Sequence, residues 1–360
     1  MYVIDNIKNT IIKGDTIEEL KNIPNNSIDL IFADPPYYMQ IEGELLRVNG
    51  SKFNGVDDNW DKFNSFEDYD NFSINWLKEC QRVLKITGSI WVIGSFQNIF
   101  RIGKIMQDLG FWILNDIIWN KTNPVPNFSG TRFCNSHETL IWCGKNKKTK
   151  YTFNYKTMKH INNNKQDKSV WNIALCTGNE RIKDKKGNKV HSTQKPEELL
   201  FKIILSSSKP KDIVLDPFFG TGTTGAIAKK LGRDYIGIER EEKYIYYAKE
   251  RINSIETEIT DLTNLNYEVK PPKVPIKNLI EKGYLKSNQK LYTKKGDEIC
   301  KLNEDGNFEN ELGIFSIHQM SAKLQNLTKY NGWNYFYIYY KNKFISIDKL
   351  RYIYIGDNNE

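Results

Sequence analysis

Paired cysteines are missing from this chain: its five, Cys80, Cys134, Cys143, Cys176 and Cys300, form no C-x-x-C. Without that spacing no metal site is expected, and the thiols read as reduced side chains of a cytosolic protein. No apolar run approaches the ~20 residues of a membrane span. The opening MYVIDNIKNTI has no basic segment leading into an apolar one, as a secretory signal would. A soluble, cytoplasmic chain with no membrane partner is expected. Internal repeats are not visible either.

What is present is size and positive charge. The 360 residues suffice for one large α/β domain and a smaller one. Lys and Arg number 52 against 44 Asp and Glu, a formal +8 that suits a polyanionic partner, although many soluble proteins are mildly basic.

Strand-like and helix-like stretches alternate through the first two-thirds. Ser27 to Ala33 is a strand. Tyr69, Phe72, Trp76, Cys80, Val83 and Leu84 recur at helical spacing, with Gly88 as the stop. Ser89 to Ile93, Phe111 to Trp119, Thr139 to Cys143, Asp212 to Leu215 and Tyr235 to Ile238 read as strands. Pro196 to Leu205, Gly222 to Leu231 and Lys243 to Ile255 read as helices. Strands separated by helix-length segments predict an α/β fold with a doubly wound, mostly parallel sheet. Gln40 to Ser65 is long and polar, a candidate mobile loop over a site. Lys145 to Lys189, with KNKKTK and KDKKGNK inside it, reads equally as a solvated insertion or as a segment contacting a nucleic-acid backbone. Residues 263–275, ending in Pro271-Pro-Lys-Val-Pro275, have linker chemistry. Beyond it, residues 276–360 predict a small α+β domain. It has a helix at Ile276 to Gly283, another after Ser316 as N-cap, and strands at Asn334 to Tyr340 and Phe344 to Ile347.

Asp216 to Gly225 reads D-P-F-F-G-T-G-T-T-G, between a predicted strand and a predicted helix. Gly220, Gly222 and Gly225 fit G-x-G-x-x-G, and Glu239 ends the next strand where a ribose-binding carboxylate belongs. No Gly-Lys-Ser/Thr follows to hold phosphate and magnesium, so a P-loop fits poorly. A dinucleotide site and a tight turn without ligand both remain open on this stretch alone. Phe218, however, offers an apolar wall suited to a thioether or an adenine and of little use to a diphosphate.

The other unusual stretch is Ile31 to Met39, I-F-A-D-P-P-Y-Y-M. An apolar strand ends in Asp34, and Pro35-Pro36 stop the ladder and stiffen the backbone before Tyr37. Asp34-Pro-Pro-Tyr37 followed by Phe218-x-Gly220-x-Gly222 resembles the S-adenosylmethionine-dependent DNA amino-methyltransferases in their β arrangement. The catalytic D-P-P-Y comes first there, a target-recognition region follows, and the cofactor turn comes last. His191-Ser-Thr-Gln-Lys-Pro196, Gly14-Asp15, Asn59-Trp-Asp61, Trp119-Asn-Lys-Thr-Asn-Pro124 and Ser136-His-Glu138 also look like the family. The resemblance covers about residues 10 to 255. The remainder resembles the small domain of cell-cycle-type and G-A-N-T-C-type adenine methyltransferases, on pattern and length alone.

The resemblance implies a Rossmann-like methyltransferase domain over residues 1–262, carrying the basic insertion at about 145–190. It implies S-adenosylmethionine as cofactor, no metal, and double-stranded DNA as partner to a bacterial, nucleoid-associated enzyme; a homodimer is conceivable. Asp34 and the Pro35 carbonyl would accept the hydrogens of an exocyclic amine, with Pro36 fixing them and Tyr37 stacking on a base extruded from the helix. Cofactor-side roles carry over to Asp15, Lys195, Asp216, Phe218, Gly220, Gly222, Thr223 and Glu239. The alternatives are that Asp15 is a helix cap and Lys195 a surface charge. His137 and Glu138 are expected to be structural and Tyr38 to pack. Adenine N6 is favoured over cytosine N4 because the family tends to write S-P-P-Y for the latter. Base readout is expected from Lys121 to Lys189 and from Trp333, Tyr335 and Tyr337, which alternatively form the small domain's core.

Overall fold

The computed structural model describes residues 1–38, 45–46, 52–53, 61–127, 130–257 and 274–358. Most of the Gln40 to Ser65 loop, including Asn59 and Trp60, and most of the 263–275 linker lie outside the described residues. The chain divides into two compact units, Met1–Asn266 and Tyr267–Glu360.

The first unit runs α1 (Ile4–Ile7), β1 (Thr10–Lys13), α2 (Thr16–Asn22), β2 (Ile28–Ala33), the short β3 (Leu45–Leu46) and β4 (Lys52–Phe53), then α3 (Phe66–Val83) and β5 (Leu84–Gly94). It continues through α4 (Ile99–Asp108), β6 (Trp112–Lys121), β7 (His137–Gly144), α5 (Tyr155–Ile161), β8 (Val170–Ile173) and α6 (Glu197–Ser207). It closes with β9 (Ile213–Asp216), α7 (Thr223–Lys230), β10 (Asp234–Glu239) and α8 (Glu242–Asn253). Eight strands form one sheet in the order β1-β10-β9-β2-β5-β7-β6-β8. Among its described pairings, β7 alone runs against its neighbours. This is the expected doubly wound, mostly parallel α/β sheet.

Strand β2 shows why the sequence folds this way. Ile28, Ile31 and Ala33 enter the core on one face, with Trp76, Cys80 and Val83 of α3. Leu30 and Phe32 enter the core on the other, with Leu199, Ile203 and Ile204 of α6. A strand covered on both faces reads as a continuous apolar run, and it ends where Pro35 and Pro36 can no longer donate.

Gly88 does not stop a helix. Helix α3 ends at Val83, and the chain enters β5 at once, passing through Gly88. The pairing with β2 shifts register between Ile28 and Leu30, and a Cβ at Gly88 would meet the Asp29 carbonyl at 2.7 Å. This glycine marks a bulge and a close backbone approach. The basic insertion is not merely solvated either. It contributes β8 to the sheet edge, and Asn154 ahead of α5 donates to the carbonyls of Leu205 and Ser208, at the end of α6.

The second unit carries more strands than its sequence suggests. Strands β11 (Lys290–Tyr292), β12 (Glu298–Leu302), β13 (Phe308–Asn310), β14 (Gly313–Phe315), β15 (Tyr337–Tyr340) and β16 (Lys343–Ser346) form an antiparallel sheet in the order β14-β13-β12-β11-β15-β16. Helices α9 (Ile276–Glu281), α10 (Ile317–Leu324) and α11 (Ile347–Asn358) accompany it, and Ser316 caps α10 in a capping box with Gln319. The strands at 290–315 are too short for a visible alternation. Trp333 and Tyr335 pack against this unit's core, and the Arg351 guanidinium sits 4.0 Å over the Trp333 ring.

Candidate active site

Strand direction brings distant residues to one edge of the large sheet. β1 leads into Gly14 and Asp15, β2 into Asp34, and β9 and β10 end on Asp216 and Glu239. The chain leaves β2 toward β5 but leaves β9 toward β10, so the order reverses between β9 and β2. Open α/β sheets bind ligands in that crevice. A cavity of about 340 Å³ lies there, within the size range of small-molecule sites. Of the residues picked from sequence, Asp15, Asp34, Pro35, Pro36, Tyr37, Phe218, Gly220 and Glu239 line it. Lys195, Asp216 and Thr223 line a smaller recess beside it, and Gly222 lines neither.

The segment after β2 is held from three sides. Asp61 accepts the backbone N–H groups of Tyr37 at 2.6 Å and Tyr38 at 2.7 Å. The Tyr69 hydroxyl donates to the Pro36 carbonyl at 2.8 Å and accepts from Asn98 at 2.9 Å. Tyr38, at φ +51°, packs its ring among Phe63, Phe66 and Tyr69, the packing role expected of it.

Asp34 sits in a buried set of charges. Lys195 Nζ lies 2.7 Å from Asp34 Oδ2 and 3.9 Å from Glu138 Oε2, and Lys121 Nζ lies 2.8 Å from Glu138 Oε1. The Tyr37 hydroxyl stands 3.0 Å from both Asp34 Oδ1 and Glu138 Oε2. Burial raises the Asp34 carboxyl above the usual carboxylate range, against the pull of Lys195. Burial acts likewise on Glu138, but Lys195 and Lys121 outweigh it and hold that carboxyl low. Burial opposes the charge of Lys195, and Asp34 and Glu138 more than restore it. Lys195 is therefore no surface charge: it is bound to the carboxylate of the D-P-P-Y motif.

Across the cavity the glycine-rich turn presents a different chemistry. Glu239 Oε2 accepts the Gly220 N–H at 2.7 Å and Oε1 accepts the Glu241 N–H at 2.8 Å, which fixes the carboxylate's orientation. Phe218 is backed edge-on by Trp76 at 5.3 Å and by Phe72. Asp15 both caps α2, accepting from Ile17 and Glu18, and lines the cavity. Thr16 donates to the Pro217 carbonyl at 2.6 Å, tying that helix to the turn. Asp216 lies under the turn, accepting from Phe218 N–H and Thr224, and burial pushes its carboxyl up to about 7.

Two turn residues serve packing. A Cβ on Gly222, at φ +75°, would stand 2.8 Å from Ala248 Cβ of α8. Thr223 Oγ1 accepts from Arg251 at 2.8 Å and contacts the Lys195 carbonyl at 3.4 Å, joining α7 to its neighbours.

Sequence reading expected Glu138 to be structural and counted Lys121 only within a base-readout region, and it gave no role to His191 and Tyr244. The last two pack ring to ring at 4.7 Å and line the cavity; burial, aided by Lys195, lowers His191 to about 4. Glu138 is the second residue of β7, the reversed strand, whose first residues lie at the edge where parallel strands end. The direction of that strand is what sets it beside Asp34.

A family profile described as DNA methylase, of the N6/N4 methyltransferase type, matches residues 28–250. The chain is 65% identical over 351 residues to the type II methyltransferase M.HinfI of Haemophilus influenzae, covering 98% of each. It is 44% identical over 245 residues to the type II methyltransferase M2.LlaDCHI of Lactococcus lactis subsp. cremoris, covering 68% of this chain and 88% of that one. Among solved structures, the M1.HpyAVI–SAM complex aligns with a TM-score of 0.50 at 30% identity, over 68% of this chain and 98% of that one. The cytosine-N4-specific PvuII DNA methyltransferase aligns at 0.53 and 20% identity, over 71% and 90%, a likeness of fold alone.

Proposed function

The chain belongs to the DNA methylase family, and on that premise we propose that it transfers a methyl group from S-adenosylmethionine to N6 of an adenine in duplex DNA, as a type II modification enzyme. The observation that carries this reading is the placement of Asp34 at the end of β2, opening on the same cavity as Phe218 and Glu239.

The cavity's lining fits a nucleoside cofactor. Phe218 and Phe72 offer an apolar wall, while Glu239 and Asp15 offer carboxylates for hydroxyl and amino groups. Glu239, already oriented by two backbone N–H groups, would hold the ribose, and Asp15 and Gly220 would border it. When bound, S-adenosylmethionine supplies an activated methyl group. The chain's own residues then have to make a poor nucleophile attack. The lone pair of an exocyclic amine is delocalised into its ring, and acceptors for its hydrogens favour the pyramidal form. The Asp34 carboxylate and the Pro35 carbonyl supply those acceptors from a backbone pinned by Asp61 and Tyr69. Extruding the base costs a few kcal/mol, which stacking on Tyr37 partly offsets.

Asp34, where the cytosine enzymes tend to carry serine, supports adenine. The resemblance of the C-terminal segment supports G-A-N-T-C as target, with residues 1–262 as the catalytic domain and 276–360 as a DNA-associated one. Tritiated methyl transfer to unmethylated duplex DNA, followed by nucleoside analysis, tests the reading. N6-methyladenine is expected. N4-methylcytosine would overturn the target base, and no transfer to any DNA would overturn the activity. A methylation profile of a host expressing the chain reads the target sequence.

A further inference from the structure

Resting on that reading, we propose that Glu138 and Lys121, which the D-P-P-Y motif does not include, are positioning residues that tune the Asp34 carboxylate from behind. The geometry is a closed chain of contacts drawn from separate elements. Lys121 ends β6, Glu138 is the second residue of β7, Lys195 precedes α6, and Asp34 and Tyr37 follow β2. Lys121 and Lys195 are 9% and 8% exposed at their side chains, Glu138 and Asp34 12% and 17%. Two carboxylates and two ammonium groups sum to zero charge. Remove any one and the remaining three carry a net charge in a largely buried place.

The Tyr37 hydroxyl explains why the set touches the reacting carboxylate and is more than a structural ion pair. It has one hydrogen but stands 3.0 Å from oxygens of two carboxylates. With both ionised, it can donate fully to one only. If Asp34 carries a proton, that proton can be donated to the Tyr37 oxygen while the phenol donates to Glu138, and both contacts become hydrogen bonds. The arrangement thus has a place for one extra proton, and Asp34 is the group facing the cavity. After methyl transfer the amine nitrogen bears one proton too many. The N–H bond breaks, its electron pair returns to nitrogen, an O–H bond forms on Asp34, and nothing is oxidised or reduced. Glu138 makes Asp34 a better acceptor by placing a second negative charge behind it. Lys121 limits that effect and keeps Lys195 from being drawn wholly to Glu138. Among the described residues, other charged or titratable groups near the set include Asp216, below the neighbouring turn, His191, on the segment that carries Lys195, and Asp61, which accepts the Tyr37 backbone N–H.

The test is kcat against pH for the full chain and for Glu138→Gln, Lys121→Met and the double variant. The probes are tritiated S-adenosylmethionine and unmethylated duplex DNA of mixed sequence, both saturating. Glu138→Gln removes a negative charge, so the acid limb of the profile moves down by about one pH unit and the plateau falls. Lys121→Met removes a positive charge, so the limb moves up. In the double variant neutrality returns and the limb moves back toward the wild-type position, while KM for cofactor and DNA stays unchanged throughout. Movement of both single variants in the same direction, or no movement with a rise in KM, would show a structural role alone and overturn the inference. Circular dichroism establishes first that each variant folds; should one fail, the sign of the shift in the other decides. A wild type that methylates no DNA sinks the functional reading and this inference together. An active wild type with immobile limbs sinks the inference only.

Discussion

Lys195 Nζ stands 2.7 Å from Asp34 Oδ2, and the same ammonium has Glu138 Oε2 as a second partner at 3.9 Å. Asp34→Ala therefore leaves Lys195 sharing Glu138 with Lys121, a net positive charge in the set. Breaking a buried pair typically costs about 3–5 kcal/mol, and a loss of stability on that order is expected here. Turnover should fall by at least about 100-fold, the scale of losing one transition-state contact in a preorganised site. Cofactor binding, measured by equilibrium dialysis, should be largely retained. Collapse of cofactor binding would show that Asp34 holds the cofactor and not the amine.

Gly222 separates a packing role from a ligand role. Gly222→Ala would bring a Cβ to 2.8 Å from Ala248 Cβ at a φ of +75°, which predicts a loss of about 1–3 kcal/mol from overpacking. Thermal unfolding should show a drop of several degrees, and Ala248→Gly in the same chain should recover part of it. An unchanged midpoint with lost cofactor affinity would mean that the ligand, not α8, needs the missing side chain.

Two groups, Asp216 and His191, tilt stability in opposite directions with pH. Asp216 titrates near 7 in the fold against 3.8 for an ordinary aspartate, so the folded chain holds a proton that the unfolded chain has released between those values. Its contribution is present in full below about pH 4 and is lost as pH rises through 7. His191 titrates near 4 against an ordinary 6.5. Its contribution is present above 6.5 and is lost as pH falls from there toward 4, because the unfolded chain gains the proton first. Unfolding midpoints from pH 4 to 8 should therefore rise more steeply with pH in Asp216→Asn than in the parent, and less steeply in His191→Gln. Equal slopes in all three chains would contradict both assignments.

Much of the catalytic half was legible because its signals are local. An apolar run cut by two prolines announces a buried strand with a rigid end, and F-F-G-T-G between strand and helix announces a tight turn. Those physical necessities sit within a few residues of each other, and composition is enough to read them. The alternation of strand and helix likewise announced the doubly wound sheet. Short elements stayed hidden: β8 and the strands at 290–315 span three to five residues each, too few for a period to show.

What the sequence by itself determined is the identity of the groups at each strand end: a carboxylate and two prolines after β2, a phenylalanine and glycines after β9, a carboxylate closing β10. What only the tertiary structure decided is which of them meet. The reversal of β7 carries Glu138 to the edge where the parallel strands finish, and the folding of the segment before α6 turns Lys195 onto Asp34. Charges buried together must balance at short range, and that balance is a property of distance in space, which spacing along the chain does not record.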